Sequence, residues 1–157
     1  MKITFLWIGK TTEPWLREGI DIYIGRLKHY VPLSVEIIPA PKSMPKQDKE
    51  KQKETEGDIL LSKIAPTDEV WLLDERGITY SSEELAGFLQ KKMSASVKNL
   101  VVVVGGPFGF SEKMYRRAGG QLSFSKLTFS HQMIRLLLCE QFYRAFTIIR
   151  GESYHHQ

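Results

Sequence analysis

The sequence predicts one α/β domain, residues 1–157, in which a largely parallel sheet is flanked by helices. Three observations predict it. Short β-prone apolar runs alternate along the chain with segments of helical period. Two of those runs, residues 3–8 (with only Thr4 polar) and 100–104, are apolar along their length rather than at every second residue, as strands covered on both faces are. A chain of 157 residues also has the length of one domain with one core.

Each element follows in order. Residues 3–8 form a first strand ended by Gly9, and Thr11, Thr12, Glu13 and Pro14 carry helix-start chemistry. Trp15, Leu16, Gly19, Ile20, Tyr23, Ile24 and Leu27 then recur at helical spacing toward His29. Residues 33–38 form a second strand, closed by Pro39 and Pro41. Residues 42–56 are rich in Lys, Glu, Asp and Gln and predict an exposed helix, with an apolar end at Ile59, Leu60, Leu61 and Ile64. Lys42, Lys46, Lys49, Lys51 and Lys53 alternate with acids there. A solvated face is therefore expected before phosphate contact.

Residues 69–74 form a third strand, and a Ser81–Glu84 capping box opens a helix over 83–93. Residues 100–104 form a β-branched strand that runs into GGPFGFS, with a short helix after Ser111. Residues 130–150 make a final helix of about 30 Å. On it Ile134, Leu137, Leu138, Ala145, Ile148 and Ile149 are expected to face the core. Met133, Leu136, Phe142, Tyr143 and Phe146 fall elsewhere, as on a helix covered on several sides.

Composition narrows the function. Apolar residues are 42% and charged residues 25%, which excludes disorder. A net charge of +4 is a mild bias toward an anionic partner and does not by itself mark a nucleic-acid binder. The one cysteine, Cys139, sits among leucines and reads as a buried thiol. No run reaches the roughly 18 apolar residues of a membrane helix, and the first residues read as a strand rather than a signal peptide. A cytoplasmic protein with no membrane contact is expected.

Several chemistries lack their motifs. GGPFG is not G-x-G-x-x-G, and no G-K-[ST] phosphate loop, H-E-x-x-H or G-x-S-x-G is present. Four histidines and one cysteine without ligand spacing give no metal site. The match of residues 123–126 to S-x-x-K lacks its companion motifs.

In open parallel sheets, ligands bind beyond the carboxyl ends of the strands. That rule selects three places. The first is the charged stretch Asp74, Glu75, Arg76 and Gly77. The second is Gly105, Gly106 and Pro107, where a backbone without side chains can come close to a ligand. The third is residues 122–129, which mix hydroxyls with apolar side chains and suit an adenine pocket.

LDERG, VVVVGGPFGFS, LSFSKLTFSHQMIRLLLCEQFYRAF and IIRGESYH occur in this order over the C-terminal half. Together they resemble the RlmH (YbeA) family, SPOUT-class methyltransferases of bacterial large-subunit ribosomal RNA. The likeness covers the whole chain and is sharpest from Leu72 onward. It implies a SPOUT-type (α/β-knot) fold with a C-terminal trefoil knot, which periodicity could not have shown. It implies S-adenosyl-L-methionine as cofactor, contacted by Leu73, Gly105, Phe124, Ser125, Lys126, Leu127, Thr128 and Phe129. It also implies a homodimer that methylates N3 of a pseudouridine in 23S ribosomal RNA, within the assembled ribosome.

The cofactor carries the hard step of such a reaction, so the protein must align the reactants and manage the imide proton. The proton acceptor is unassigned. Asp74, Glu75 and Arg144 are candidate catalytic groups, and Arg135 and Arg150 are further cations. Arg144, Tyr154, His155 and His156 are candidate RNA contacts, since Tyr154 can stack on a base and His155 can titrate. The family commonly places proline before that tyrosine and Lys or Arg after the histidine. Here Ser153 and His156 stand there, loosening the tail and weakening its charge. Phe108, Phe110 and Ile78 also depart from the family pattern. Two alternatives stay open: a knotted methyltransferase acting on another RNA such as tRNA, and a non-catalytic ribosome-binding assembly factor.

Overall fold

The computed structural model describes residues 1–40 and 48–155. The order along the chain is β1 (Lys2–Ile8), α1 (Pro14–Leu27), β2 (Leu33–Ile38), α2 (Lys49–Ser62), β3 (Glu69–Thr79), α3 (Ser82–Ser94), β4 (Asn99–Val104), α4 (Glu112–Arg117), β5 (Gly120–Ser123) and α5 (Met133–Arg150). The five strands form one sheet in the order β2-β1-β4-β3-β5, and every pairing is parallel. This is the α/β architecture that the sequence predicts.

Alternation along each strand divides the core into two layers. Ile3, Phe5, Trp7, Leu100, Val102 and Val104 pack with α1, α3 and α5 on one face. Leu6, Ile8, Val70, Leu72, Val101 and Val103 meet Leu60 of α2 and Met114 of α4 on the other. β1 and β4 are therefore buried on both sides, which is why they carry no polar alternation. The Ser81–Glu84 capping box opens α3 as expected.

Four expectations need correction. β3 does not end at Asp74. It passes an irregularity between Leu73 and Ile78, then resumes pairing with β5 through Ile78–Leu122 and Thr79–Ser123. Gly77 allows this, because a β-carbon there would stand 2.6 Å from the carbonyl carbon of Leu122. The loop read over residues 122–129 begins later than expected, because residues 120–123 form the short edge strand β5. The charged helix is not a wholly solvated one: α2 starts at Lys49, is capped by the Asp48 side chain, and buries Glu56, Gly57 and Leu60. Lys42 and Lys46 lie outside the described residues.

The fourth correction concerns α5. Its buried stripe is Arg135, Leu138, Cys139, Phe142, Ala145, Phe146 and Thr147, at spacings of three and four. Phe142 and Phe146 are thus core residues, while Leu137, Ile148 and Ile149 are half-buried. The Phe142 ring meets Phe5 edge-on at 5.3 Å, and that contact fixes the helix rotation. At the head of the stripe the fully buried Arg135 donates to Thr11 Oγ1 at 3.0 Å and to the Ile8 carbonyl at 2.5 Å. Gln132 Oε1 accepts from Thr12 N at 2.8 Å. The entry to α5 is thereby tied to the loop after β1.

Candidate active site

The carboxyl ends of β3, β4 and β5 enclose a cleft of about 660 Å³. That volume falls within the usual range for small-molecule and cofactor sites. Its walls come from Leu73 to Arg76 at the β3 irregularity, from Gly105 to Phe110 after β4, and from the segment after β5 up to Ile134 at the start of α5. All three strand-end loops singled out in the sequence meet in this one cleft.

Of the eight residues expected to contact the cofactor, Leu73, Gly105, Phe124, Ser125, Leu127, Thr128 and Phe129 line the cleft, and Lys126 does not. Local hydrogen bonds shape the segment. Ser123 Oγ donates to the Ser125 carbonyl at 2.9 Å, and Ser125 Oγ accepts from Leu127 N at 2.9 Å. Leu127, which lines the cleft, is left 73% exposed, an apolar side chain largely uncovered by its own chain. Thr128 Oγ1 donates to Glu75 Oε2 at 2.9 Å and joins two walls.

At Gly105 a β-carbon would stand 3.1 Å from the Phe110 ring, close enough that the ring would have to give way. Gly109 holds a left-handed φ of 81°, and its N–H donates to the Gly106 carbonyl at 3.2 Å. These backbone demands explain the glycine-rich spelling after β4.

Asp74 sits at the centre of a polar cluster on one wall. Tyr115 Oη donates to its Oδ2 at 2.5 Å, Arg76 N donates to its Oδ1 at 2.9 Å, and Arg76 Nε donates to Oδ1 at 3.1 Å. Arg76 also donates to Tyr115 Oη. Burial alone would raise the Asp74 carboxyl pKa. The Arg76 and Tyr115 hydrogen bonds outweigh it, so the net shift is downward. Asp74 therefore holds its charge and is a weak proton acceptor. Burial and the Asp74 hydrogen bond push the Tyr115 phenol up to about 12. His131, also on the wall, is lowered by burial and by the Arg135 charge.

Lys53, Arg76, Tyr115 and His131 line the cleft without having been candidate cofactor or catalytic residues, although Arg76 lay in the charged stretch selected after β3 and Lys53 among the lysines weighed for phosphate contact. Arg76 stood beside a named candidate, and proximity to Asp74 was the signal available. Lys53 and Tyr115 come from the opposite layer of helices, and local pattern carries no sign of that.

The tail residues lie elsewhere. The left-handed Gly151 closes α5, with Glu152 N donating back to the Thr147 carbonyl at 2.9 Å. Tyr154 Oη hydrogen-bonds Tyr23 Oη and Glu140 Oε1, each at 3.1 Å, and the Arg144 guanidinium lies 4.9 Å over its ring. Arg144 Nη2 pairs with Glu140 Oε1 at 2.5 Å, and His155 Nε2 meets Glu83 Oε1 at 2.7 Å. None of Arg144, Tyr154 and His155 lines the cleft of its own chain. His156 lies outside the described residues.

Residues 1–155 match the family model described as "Predicted SPOUT methyltransferase". The chain belongs to the SPOUT methyltransferase family. Among curated SPOUT relatives it is 50% identical to "Ribosomal RNA large subunit methyltransferase H" of Flavobacterium johnsoniae over 157 residues, covering 100% of both chains. It is 47% identical to the protein of the same name in Parabacteroides distasonis, again over 100% of both. The fold is shared with a probable methylase family protein from Haemophilus influenzae. That likeness has a TM-score of 0.53 at 15% identity and covers 99% of this chain and 70% of that one.

Proposed function

We propose that this SPOUT methyltransferase transfers a methyl group from S-adenosyl-L-methionine to N3 of a pseudouridine in 23S ribosomal RNA, acting on assembled ribosomes as a cytoplasmic homodimer. The observation that carries the reading is the convergence of Leu73, Gly105 and five residues of the segment after β5 on one cleft. Full-length identity to methyltransferases named for large-subunit ribosomal RNA supports the substrate.

The cleft fits the cofactor. Gly105 and Gly106 line it with backbone that carries no side chains. Ser125 and Thr128 bring hydroxyl groups to its lining, and Leu73, Leu122 and Phe129 supply apolar wall for a purine. When bound, the cofactor supplies an electrophilic methyl group on sulfur. The protein's part is to align it, exclude water and manage the imide proton. Glu75 is the better placed of the two carboxylate candidates, because Asp74 is committed to Arg76 and Tyr115.

Dimerisation supplies what one chain lacks. Trp15 and Ile22, seven residues apart on one face of α1, are 55% and 47% exposed, and α1 packs on α5. A two-fold pairing through this layer would cover them. It would also let Arg144, Tyr154 and His155 of one subunit serve the cleft of the other. The segment between β5 and α5, tied to the loop after β1 through Gln132 and Arg135, is where the trefoil crossing would lie.

Transfer of labelled methyl to unmethylated ribosomes tests the reading, with naked ribosomal RNA and tRNA alongside. Label at N3 of a pseudouridine in the large-subunit RNA of whole ribosomes is the expected result. Label in tRNA, or none from protein that binds the cofactor, overturns it.

A further inference from the structure

Glu56 is an acidic side chain buried to 2% exposure on α2, a helix otherwise rich in exposed charged residues. Burial of a carboxyl group is costly unless the site gains from it. Gln52 Nε2 donates to Oε1 at 2.8 Å from one turn earlier. Oε2 faces the glycine loop. A β-carbon built on Gly106 would overlap Oε2 and would lie 2.9 Å from both Cδ and Oε1. The neighbouring residue does the same at the far end of the loop, where a β-carbon on Gly57 would overlap Ser111 Oγ and lie 3.1 Å from Ser111 Cβ. Glu56 and Gly57 thus brace both ends of the turn between β4 and α4. Inside that turn, a single 3.2 Å backbone bond from Gly109 to Gly106 closes a one-pair bridge.

The loop needs such a brace. Gly105 and Gly106 lack side chains and lose more conformational freedom on ordering than other residues do. Both line the cleft, and Gly106 lies against the Glu56 carboxyl group. A floor made of glycine backbone fits a ligand well only when something beneath holds it still.

We propose that Glu56 is a positioning residue for the methyl donor: its buried carboxyl group supports the Gly105–Gly106 backbone from beneath and fixes the floor of the cleft where the donor binds. This rests on the donor-binding reading above. Glu56 does not touch the donor; it acts through the loop.

Calorimetric titration of the full-length protein with S-adenosyl-L-methionine, and with S-adenosylhomocysteine as a probe that cannot turn over, tests it. Glu56→Ala is expected to weaken both by about tenfold, with faster amide exchange at residues 105–110. Glu56→Gln keeps the shape and an acceptor oxygen, and is expected to stay within about threefold of wild type. Gly106→Ala alone should weaken binding through collision with the carboxyl group, and Glu56→Ala in the same chain should recover part of that loss. Should Glu56→Ala not fold, Glu56→Asp shortens the brace by one methylene and is expected to give an intermediate loss. Wild-type affinity in folded Glu56→Ala or Glu56→Asp, or strict additivity with Gly106→Ala, overturns the inference alone. A wild-type protein that binds neither ligand overturns the donor-binding reading and the inference together.

Discussion

Tyr115 Oη donates to Asp74 Oδ2 at 2.5 Å, linking α4 on one side of the sheet to the carboxyl end of β3. With Arg76 on the second oxygen face, the pair converts a carboxylate at the mouth of the cleft into a fixed negative anchor. The anchor in turn orients a guanidinium that is itself 68% exposed.

The pH dependence of stability reports this anchor. The Asp74 pKa is lowered in the folded chain, so its contribution is present above its ordinary value of 3.8 and is lost as pH falls through the folded value. Asp74→Asn is therefore expected to lower Tm at neutral pH, with the gap to wild type closing in acid. A gap that stays constant from pH 7 to the acid limit would contradict it.

Glu56 carries the opposite sign. Burial raises its pKa above 4.5, so the ionised form costs the folded chain stability as pH rises from 4.5 through the folded value. Glu56→Gln should gain Tm relative to wild type as pH rises across that window. The reverse trend would show that the ionised form is the favoured one.

Arg135 holds the start of α5 to β1. Arg135→Ala removes the donors to the Ile8 carbonyl and Thr11 and the guanidinium stacked 5.5 Å from the Trp7 ring. The expected cost is about 3 kcal/mol from the cavity and unmade hydrogen bonds, or roughly 10 °C in Tm. An unchanged Tm would show that desolvation of this buried charge cancels everything it makes.

Gly105→Val tests the glycine loop by steric means. A β-carbon there already meets Phe110 at 3.1 Å, so the branched side chain must displace the ring or enter the cleft. Cofactor binding is expected to fall by more than about a hundredfold in a chain that still melts cooperatively. Normal affinity would remove this loop from the site.

Tyr154→Ala separates tail from cleft. Tyr154 touches Tyr23, Glu140, Tyr143 and Arg144 but no cleft residue of its own chain. Turnover on ribosomes should fall about tenfold while cofactor affinity stays near wild type. Equal loss of both would show that the tail supports the cofactor site rather than the RNA.

The sequence by itself determined four of the five strands, the helices between them and the three loops of the cleft. Those signals are local: largely apolar runs for β1 and β4, a capping box at Ser81, and the paired glycines that follow β4. The residues matched to the family motif identified seven cleft residues out of eight, because they lie on one contiguous loop and two strand ends. Tertiary structure decided the rest. Lys53, Glu56 and Tyr115 reach the cleft or its floor from α2 and α4, helices packed beneath the sheet far away in sequence. The continuation of β3 past Asp74 depends on pairing with β5, and the buried stripe of α5 depends on how Phe142 meets Phe5. A residue's periodicity records whether it can be buried. What it is buried against is set by long-range packing, which one stretch of sequence does not encode.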